Sequence, residues 1–568
     1  MNYQFKIENP NQQYLQVSIE GTANSNNPTI QLPSWRPGRY ELGNFAKNIK
    51  GFKVFNSLGK RVTFEKITKD AWKLILNEGE AFKIEYSYFA SQLNAGSTFL
   101  DAKQLYVNPV NCCMYQIGNE NDNCFLKLNI PSHWDIATSL TFEDGVYKTE
   151  NFDELADSPL ICSADLQHGE YTSGNTKFHL WFNGITKPDW ERLIKDFKAF
   201  TDKQIEKFSE FPVPEYHFLF HILPQKVYHG VEHCKSTVIC LGPSYEVYQS
   251  LYKELLGVSS HELYHTWNVK TIRPIEMFPY NYTKENYSRL GYLCEGVTTY
   301  MGDLFLLKSK VFTLEQYLVE LTARFQIHFD NHGRFNYSVA ESSFDTWLDG
   351  YESGAPNRKV SIYTEGNLLA FVADIMILKG TNNKYGLDEV MRRLYFNYAL
   401  QGKGVSEEDY KTELEAVGQC SFDDYFSEYV YGNKPYESIL IDALEYIGLE
   451  LIQKPSHIYS HARLGMKCIV ESDKTIAKIF YPGGPADLGG MMIDDVIIAV
   501  NGVMINNNLD QWLNYFDEDE KRITINRSGR LIELVLPEVN RNFYMEQKLK
   551  PIENQNNFQK KGFIAWSE

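Results

Sequence analysis

The 568-residue sequence predicts a multidomain α+β protein. The chain is too long for a single hydrophobic core, so about two to four domains are expected. Short strand-like runs fill roughly the first 170 positions and return near the C-terminus, whereas apolar residues at helical spacing dominate between them. We therefore expect an N-terminal β-sheet domain over 1–170, a mostly helical domain over 171–450, a smaller strand-rich domain over 451–540 and a C-terminal tail over 541–568.

The strands of the N-terminal domain are predicted from alternation. The segments "QYLQVSIEG", "FKIEYSYF", "CFLKLNI" and "GVYKTE" are apolar or alternating runs separated by Asn, Gly and Pro. Between them, "LPSWRPGRYEL" is predicted to be a loop because Pro33, Pro37 and Gly38 interrupt regular structure.

Helical spacing begins near residue 190 in "DWERLIKDFKAFTDKQIEKFSEF". A strand, "YHFLFHIL", is predicted over 216–223, and helical patterns then dominate from about 245 to 445. The C-terminal domain is predicted from the strand-sized runs "KCIVES", "AKIFY", "DDVIIAVNG" and "RITINRSG".

Composition and charge narrow the classes of partner. Apolar residues make up 43% of the chain and charged residues 23%, values typical of a folded protein. The net charge of −17 repels phosphate backbones and anionic lipids, so we expect no nucleic-acid partner and no membrane association.

The cysteines and the N-terminus favour a cytoplasmic location. The nine cysteines include no CxxC pair and are expected to be free, buried thiols in a reducing compartment. The first residues, "MNYQFKIENPNQQYLQVSIEG", lack the basic start and apolar run of a signal peptide. No run approaches the roughly 18 apolar residues of a transmembrane helix.

The segment "SSHELYHTWN" predicts a metal-binding helix. Residues four apart share one face of a helix, so His261 and His265 can direct ring nitrogens at one zinc ion. Glu262 lies beside them and is placed to act as a general base on water. An ordinary helix with two structural histidines is the alternative interpretation.

A third metal ligand is expected because catalytic zinc usually takes three protein ligands and water. Glu295 in "YLCEGVTTY" is the candidate, since two antiparallel helices joined by a loop would bring it to the histidines. Cys294 is adjacent but points about 100° away on a helix, so we expect it to pack in the core. Thr299, one turn after Glu295, is a weaker candidate for a supporting hydrogen bond.

These motifs resemble metallopeptidase family 61, the PDZ-containing glycyl aminopeptidases, which are gluzincins. "HELYHTWNVKTIRP" resembles the family's active-site helix, "CEGVTTY" its third-ligand segment and "PSWRPGRYELGNFAKNI" the Trp-x-Pro-Gly segment of its N-terminal domain. The resemblance spans nearly the whole chain. It implies a thermolysin-like catalytic domain with one zinc ion, held by His261, His265 and Glu295, and Glu262 as the catalytic base.

The resemblance also implies a substrate-binding strand. Gly230, Glu232 and His233 in "YHGVEHCKS" are similar to the exopeptidase strand of aminopeptidase N-type enzymes, where the glutamate holds the free amine of the substrate. The chemistry is reasonable, because a desolvated α-ammonium needs a counter-charge. Without the resemblance, Glu232 would be interpreted as a solvated surface charge.

A second catalytic residue is implied in "SIYTEGNLLAF", which resembles the Tyr-x-Lys-Gly segment of the family. Its tyrosine corresponds to Tyr363, which would stabilise the oxyanion that develops during acyl transfer. Glu365 stands where the family usually has lysine, which weakens the local match.

The C-terminal domain resembles a PDZ domain, with "RLGMKCIV" and "YPGGPADLGGMMIDDVIIAVNG" carrying the similarity. Leu464, Gly465 and Met466 would form the turn that captures the C-terminus of a peptide. Such a domain either recruits substrate or caps the catalytic unit.

The sequence thus predicts a zinc-dependent aminopeptidase that removes small N-terminal residues (Gly or Ala) from peptides with a free N-terminus. The small-residue preference is implied by the resemblance alone. A zinc endopeptidase and a PDZ adaptor without catalysis are the alternatives.

Overall fold

The structure is a computed structural model that describes residues 1–352 and 354–568. It has the predicted multidomain α+β organisation: an N-terminal β domain, a helical middle domain and a C-terminal PDZ region. The fold-class prediction is therefore confirmed.

The N-terminal domain contains fifteen strands and two short α-helices. They are β1 (Asn2–Ile7), β2 (Tyr14–Thr22), β3 (Thr29–Gln31), β4 (Ile49–Asn56), β5 (Phe64–Thr68), β6 (Ala71–Leu74), β7 (Ala81–Phe89), β8 (Phe99–Leu100), β9 (Gln104–Val107), α1 (Pro109–Cys112), β10 (Tyr115–Gln116), β11 (Cys124–Asn129), β12 (Asp135–Thr138), β13 (Thr141–Glu143), β14 (Val146–Thr149), α2 (Phe152–Ala156) and β15 (Leu160–Ser163).

These strands form three sheets, with the orders β13-β14-β11-β1-β2-β7-β4, β10-β3-β6-β5 and β12-β15-β9-β8. The alternation in the sequence sets the buried face, because side chains along a strand point to opposite sides. In the pairing of β2 with β7, Val17 lies opposite Tyr86 and Ile19 opposite Ile84, and all four side chains are buried.

The middle domain begins with a five-stranded sheet and continues as helices. Its elements are β16 (Gln167–Ser173), β17 (Thr176–Gly184), α3 (Trp190–Phe208), β18 (Glu215–Ile222), β19 (Val227–Glu232), β20 (Ser236–Gly242), α4 (Tyr252–Tyr264), a π-helix (Tyr292–Val297), α5 (Thr298–Lys308), α6 (Leu314–Asp330), α7 (Val339–Phe344), α8 (Thr346–Asp349), α9 (Ile362–Gly380), α10 (Leu387–Asn397), α11 (Glu407–Gly418), a second π-helix (Tyr425–Val430) and α12 (Glu437–Tyr446).

The five-stranded sheet has the order β16-β17-β18-β20-β19. Strands β17, β18 and β20 are parallel, whereas β16 and β19 run antiparallel at the two edges. The central strand β18 is buried at every position after Glu215, which explains its continuous apolar run. Edge strand β19 lies against α4, so it borders the histidine helix.

The C-terminal part contains β21 (Leu449–Pro455), α13 (Tyr459–Ala462), β22 (Met466–Glu471), β23 (Lys474–Phe480), α14 (Pro485–Leu488), β24 (Val496–Val500), β25 (Val503–Met504), α15 (Leu509–Tyr515), β26 (Lys521–Arg527), β27 (Arg530–Leu536), β28 (Met545–Pro551) and α16 (Asn557–Ser567). The PDZ sheet has the order β22-β23-β24-β26-β27, with β25 paired to β24.

The chain after the PDZ sheet returns to the helical domain. Strand β28 pairs with β21, and Trp566 of α16 is only 1% exposed. The Trp566 indole N–H donates a hydrogen bond to the Tyr300 hydroxyl at 2.9 Å. Across the described residues, no helix has both the length and the hydropathy needed to cross a bilayer.

Candidate active site

The two histidines of the HExxH segment converge at the end of α4. The helix ends at Tyr264, His265 caps it, and the Nε2 atoms of His261 and His265 lie 3.0 Å apart. Burial lowers the pKa of His261 to about 4, which keeps its ring neutral and its lone pair free. Two imidazole nitrogens this close can share one metal ion.

A backbone carbonyl fixes the ring of His265. Its Nδ1 lies 2.7 Å from the carbonyl oxygen of Asn268, which would accept an Nδ1–H hydrogen bond and leave Nε2 as the ligand atom. The Asn268 side chain donates to the carbonyl of Leu293 at 2.9 Å, so the same residue connects the histidine turn to the segment that carries Glu295. Burial opposes protonation of His265, but the Glu295 carboxylate raises its pKa to about 9, and metal binding would displace this proton.

Glu295 approaches the histidines from the π-helix that precedes α5. Its Oε2 lies 3.4 Å from Nε2 of His265 and 3.7 Å from Nε2 of His261. The ligand atoms of the three residues all lie within 4.8 Å of one another. A π-turn widens the helix locally and is frequent at functional sites. The structure therefore brings the three predicted ligands together, and the donor set of two imidazoles and a carboxylate fits zinc.

Tyr40 extends from the N-terminal domain to this cluster. Its hydroxyl donates a hydrogen bond to Oε1 of Glu295 at 3.0 Å, and the side chain is buried. Burial and the charge of Glu295 raise the pKa of Tyr40 well above its usual value, so the phenol keeps its proton. One oxygen of Glu295 is thus held by Tyr40 while the other faces the histidines.

Glu262 is 5% exposed and lies against strand β19. A Cβ at Gly230 would lie 2.1 Å from Oε1 of Glu262, so only glycine permits this approach. Oε2 of Glu262 is buried and has no hydrogen-bond partner within 1–352 and 354–568. Burial raises the pKa of Glu262 well above its usual range, and Glu232 adds to the effect. The site thus contains a proton acceptor with an unpartnered oxygen.

The Glu232 carboxylate, at the end of β19, lies beside Glu262. Ligand atoms of Glu232, Glu262 and His265 lie within 4.8 Å of one another, and Glu232 is 6% exposed. A Cβ at Gly38 would lie 2.5 Å from Oε2 of Glu232, so the loop of the N-terminal domain packs directly on this carboxylate. Two neighbouring buried carboxylates provide a place for a cation.

His233 lies at the junction of the domains rather than in the cavity around the histidines. Its Nδ1 lies 3.0 Å from Oδ1 of Asp157 in the N-terminal domain. Lys270 donates to the same oxygen at 2.9 Å, and the backbone N–H of Cys234 donates to the other at 2.7 Å. The structure therefore places His233 outside the cavity in which it could contact a substrate directly.

Tyr363 lies in the first turn of α9 and lines the cavity that holds the histidines. The cavity has a volume of about 550 Å³ and is also lined by Tyr351, Phe312 and Arg324. Burial raises the pKa of Tyr363 well above its usual value, with Glu295 as the next cause. Its hydroxyl therefore remains protonated and can donate a hydrogen bond into the cavity.

Three other residues singled out by the sequence make contacts inside the protein, and one of them, Thr299, also lines the cavity. Cys294 is 2% exposed and belongs to the hydrophobic core. The Thr299 hydroxyl donates to the backbone carbonyl of Glu295 at 2.8 Å and thus supports the π-helix. Glu365 is buried and pairs with Nδ1 of His328 at 2.7 Å, so the carboxylate at this unusual position has a buried partner.

The predicted carboxylate-binding turn of the PDZ domain is covered by the chain itself. Leu464 and Met466 are buried, and Gly465 has φ +62°. A Cβ at Gly465 would lie 3.3 Å from Cγ of Phe543, in the segment that precedes β28. The proposed capture of a peptide C-terminus at this turn remains a prediction.

Comparison with protein families agrees with this geometry. Residues 2–164 match the family model described as the Peptidase M61 N-terminal domain, residues 254–369 match that of the M61 glycyl aminopeptidase, and residues 480–527 match a PDZ domain. The chain belongs to peptidase family M61. This M61 protein is therefore a peptide hydrolase of the metallo-aminopeptidase class.

The M61 protein shares its fold with a solved structure. The aminopeptidase N family protein from Idiomarina loihiensis superposes with a TM-score of 0.91 at 23% identity and covers 100% of both chains. The M1 zinc metallopeptidase from Deinococcus radiodurans gives a TM-score of 0.47 at 14% identity over 76% of this chain and 94% of its own. A mutant of that enzyme is bound to the substrate Tyr-Ser-Ala. No curated protein sequence matches the chain.

Two site residues were not identified from the sequence. Tyr40 and Gly38 both belong to "PSWRPGRYEL", a segment that the sequence predicts to be a loop and that resembles a family segment, with no indication of a role in the site. The only signal was a tyrosine and a glycine inside a Pro-interrupted loop, and such a signal does not reveal that the loop reaches a site in another domain.

Proposed function

We propose that this M61 protein is a zinc-dependent aminopeptidase that removes glycine or alanine from the N-terminus of peptides. The observation that carries the proposal is the position of Glu232, whose carboxylate lies within 4.8 Å of both Glu262 and His265. Only the Cα atom separates the α-ammonium of a substrate from its first carbonyl. A carboxylate at this distance from the metal ligands therefore favours cleavage after the first residue.

The zinc ion would be held by His261, His265 and Glu295. When bound, zinc lowers the pKa of water and polarises the scissile carbonyl. Glu262 has the buried, unpartnered oxygen that a general base needs, and it would take the proton of the attacking water and deliver it to the leaving amine. Tyr363 would donate a hydrogen bond to the developing oxyanion.

The N-terminal domain would set the exopeptidase specificity. Gly38 packs on the Glu232 carboxylate and would limit the space there for further residues on the N-terminal side of the substrate. The family description as a glycyl aminopeptidase supports the preference for small first residues.

A peptide panel tests this proposal. Peptides that begin with Gly, Ala, Leu or Arg, and the same peptides with an acetylated N-terminus, would be incubated with the protein, with chelator, and with chelator followed by zinc. We expect release of Gly and Ala from the free peptides, loss of activity with chelator and recovery with zinc. Equal cleavage of acetylated and free peptides would contradict the role of Glu232, and activity that survives complete metal removal would contradict the metal mechanism.

A further inference from the structure

A second group of metal-ligand side chains lies at the opposite edge of the five-stranded sheet from Glu232. His168 and Glu170 belong to edge strand β16, and His179 belongs to its neighbour β17. Glu170 lies directly opposite His179 in the pairing, and His168 is two residues before Glu170. Because side chains alternate along a strand, all three project from the same face of the sheet.

The distances within this group suit a shared cation. Nε2 of His168 lies 3.0 Å from Nδ1 of His179, the same separation that the structure gives for the two histidines of the active site. Oε2 of Glu170 lies 3.9 Å from Nδ1 of His179, and the three ligand atoms lie within 4.8 Å of one another.

The other nitrogen of His179 has the surroundings of a metal-binding histidine. Its Nε2 is buried and has no hydrogen-bond partner in the described part of the chain. Oε2 of Glu215 on β18 lies 3.9 Å from this nitrogen. A ligating histidine generally directs its second N–H at a carboxylate or carbonyl, and Nε2–H of His179 would face Glu215 in this way.

A competing set made of His179, Glu215 and His217 is less suitable. Ligand atoms of these residues also lie within 4.8 Å of one another. However, Nδ1 of His217 accepts a hydrogen bond from the Trp181 indole N–H at 3.2 Å. The proton of a neutral His217 ring is then on Nε2, which leaves no free lone pair for a metal.

Aromatic stacking holds the rings of the preferred set in place before any metal binds. The His168 ring stacks on Trp181 with centroids 3.9 Å apart, and the His179 ring stacks on His217 at 4.4 Å. Burial lowers the pKa of both His168 and His179, so both rings are neutral at physiological pH and able to bind a metal.

We propose that His168, Glu170 and His179 form a second site for a transition-metal dication such as Zn²⁺, separate from the active site. Two imidazoles and a carboxylate are the donors that zinc takes in proteins, and the exposure of His168 and Glu170 leaves the remaining position to water. The ion would fasten edge strand β16 to β17. The site binds more weakly than the active site, because two of its ligands are exposed and Lys177 pairs with Glu170 at 2.8 Å.

Zinc stoichiometry tests this site on the full-length protein. Chelator-treated protein would be dialysed against ZnCl₂ at increasing free concentrations, with bound metal measured by elemental analysis. We expect two equivalents for the wild type. One equivalent is expected for His168→Ala and for Glu170→Gln, with the weaker step lost, and one for His261→Ala, with the tighter step lost. Lys177→Gln should shift the weaker step to lower zinc concentration, because it removes the competing ammonium.

The matched control is His133→Ala, which removes an exposed histidine outside this group and should leave two equivalents. A thermal measurement adds a second readout: zinc should raise the unfolding temperature of His261→Ala but not that of His168→Ala/His261→Ala. A wild type that binds a single equivalent, or a second equivalent that persists in both His168→Ala and Glu170→Gln, would overturn the proposal. Either result leaves the proposed aminopeptidase activity untouched, since that activity depends on the tighter step.

Discussion

The residue with the clearest chemical role is Glu262, because its buried carboxylate has an oxygen that no other described group satisfies. Replacing it with glutamine keeps the volume and removes the proton acceptor. General-base catalysis contributes roughly 100- to 10,000-fold, so we expect Glu262→Gln to lower kcat by that factor. Bound zinc should remain at the wild-type level, because the proposed ligands are His261, His265 and Glu295. Measuring kcat and metal content on the same preparation checks both parts, and a variant that retains more than a tenth of the activity would contradict the assignment.

The hydroxyl of Tyr363, the proposed hydrogen-bond donor, can be removed without changing the size of the ring. In Tyr363→Phe the developing oxyanion would lose one hydrogen bond, which is worth roughly 100- to 1,000-fold in kcat for donors of this kind. KM should change little, because the bond strengthens in the transition state rather than in the bound substrate. Steady-state kinetics on a Gly-peptide would show this split. A rise in KM with unchanged kcat would instead make Tyr363 a residue that binds substrate.

The spacing of residues along the sequence predicts some residues of the candidate active site but not the others. His261, Glu262 and His265 could be predicted because a helix places residues four apart on one face. Tyr40 could not, because it is 255 residues from Glu295 in the chain and no periodicity connects a loop to a helix in another domain. The role of Gly38 was hidden for the same reason: the Glu232 carboxylate that it contacts belongs to a distant strand.

At the scale of elements, the position of Glu295 depends on a very close contact between its π-helix and α9. A Cβ added at Gly296 would lie 2.3 Å from the Cα of Gly366, and one at Gly366 would lie 2.7 Å from the Cα of Gly296. The two backbones therefore touch without side chains between them. This contact fixes the position of Glu295 relative to Tyr363, because Tyr363 lies on the same helix as Gly366.

A methyl group at this contact should separate the two elements. We expect Gly296→Ala to lower the free energy of unfolding by about 1–3 kcal/mol, the usual cost of overpacking, and to weaken zinc binding because Glu295 is displaced. Urea unfolding and zinc titration measure the two effects. The matched control is Gly257→Ala in α4, where a Cβ meets no atom within 4 Å and alanine should stabilise the helix by about 0.5–1 kcal/mol. Equal stability of Gly296→Ala and the wild type would show that the contact is not tight.

Element types were predictable, whereas their arrangement was not. The strands of the N-terminal domain follow from alternation, since that pattern buries one face of a sheet. The sequence did not predict that β1 pairs in parallel with β11, where Asn2 lies opposite Phe125. Such long-range pairing is decided by how whole sheets pack, and no local pattern in either strand encodes it. The π-turn around Glu295 likewise cannot be distinguished from ordinary helix in the sequence, because a single widened turn leaves the apolar spacing almost unchanged.

At the scale of the whole molecule, a buried carboxylate of the N-terminal domain, Asp157, bonds the catalytic domain through His233 and Lys270. Burial would raise the pKa of Asp157, but the charge of Lys270 and the bond to His233 lower it well below its usual value. Asp157 therefore remains ionised and holds both catalytic-domain residues. His233 is the residue after Glu232, so this contact lies next to the end of β19. It holds the N-terminal domain, including the loop that contains Gly38, against the strand that would bind the substrate amine.

Because Tyr40 of the N-terminal domain bonds Glu295, this domain would be part of the proposed metal site, and Tyr40→Phe tests this directly. The substitution removes one hydroxyl from Glu295 and keeps the buried ring. Partners of metal ligands are typically worth 10- to 100-fold in metal affinity or activity, so we expect zinc affinity or kcat/KM to fall by roughly that factor. The matched control is Tyr88→Phe, which removes a hydroxyl that accepts a hydrogen bond from Asn48 within the N-terminal domain and should leave both quantities unchanged. If Tyr40→Phe binds zinc and hydrolyses Gly-peptides as the wild type does, the N-terminal domain acts on the substrate side of the site alone.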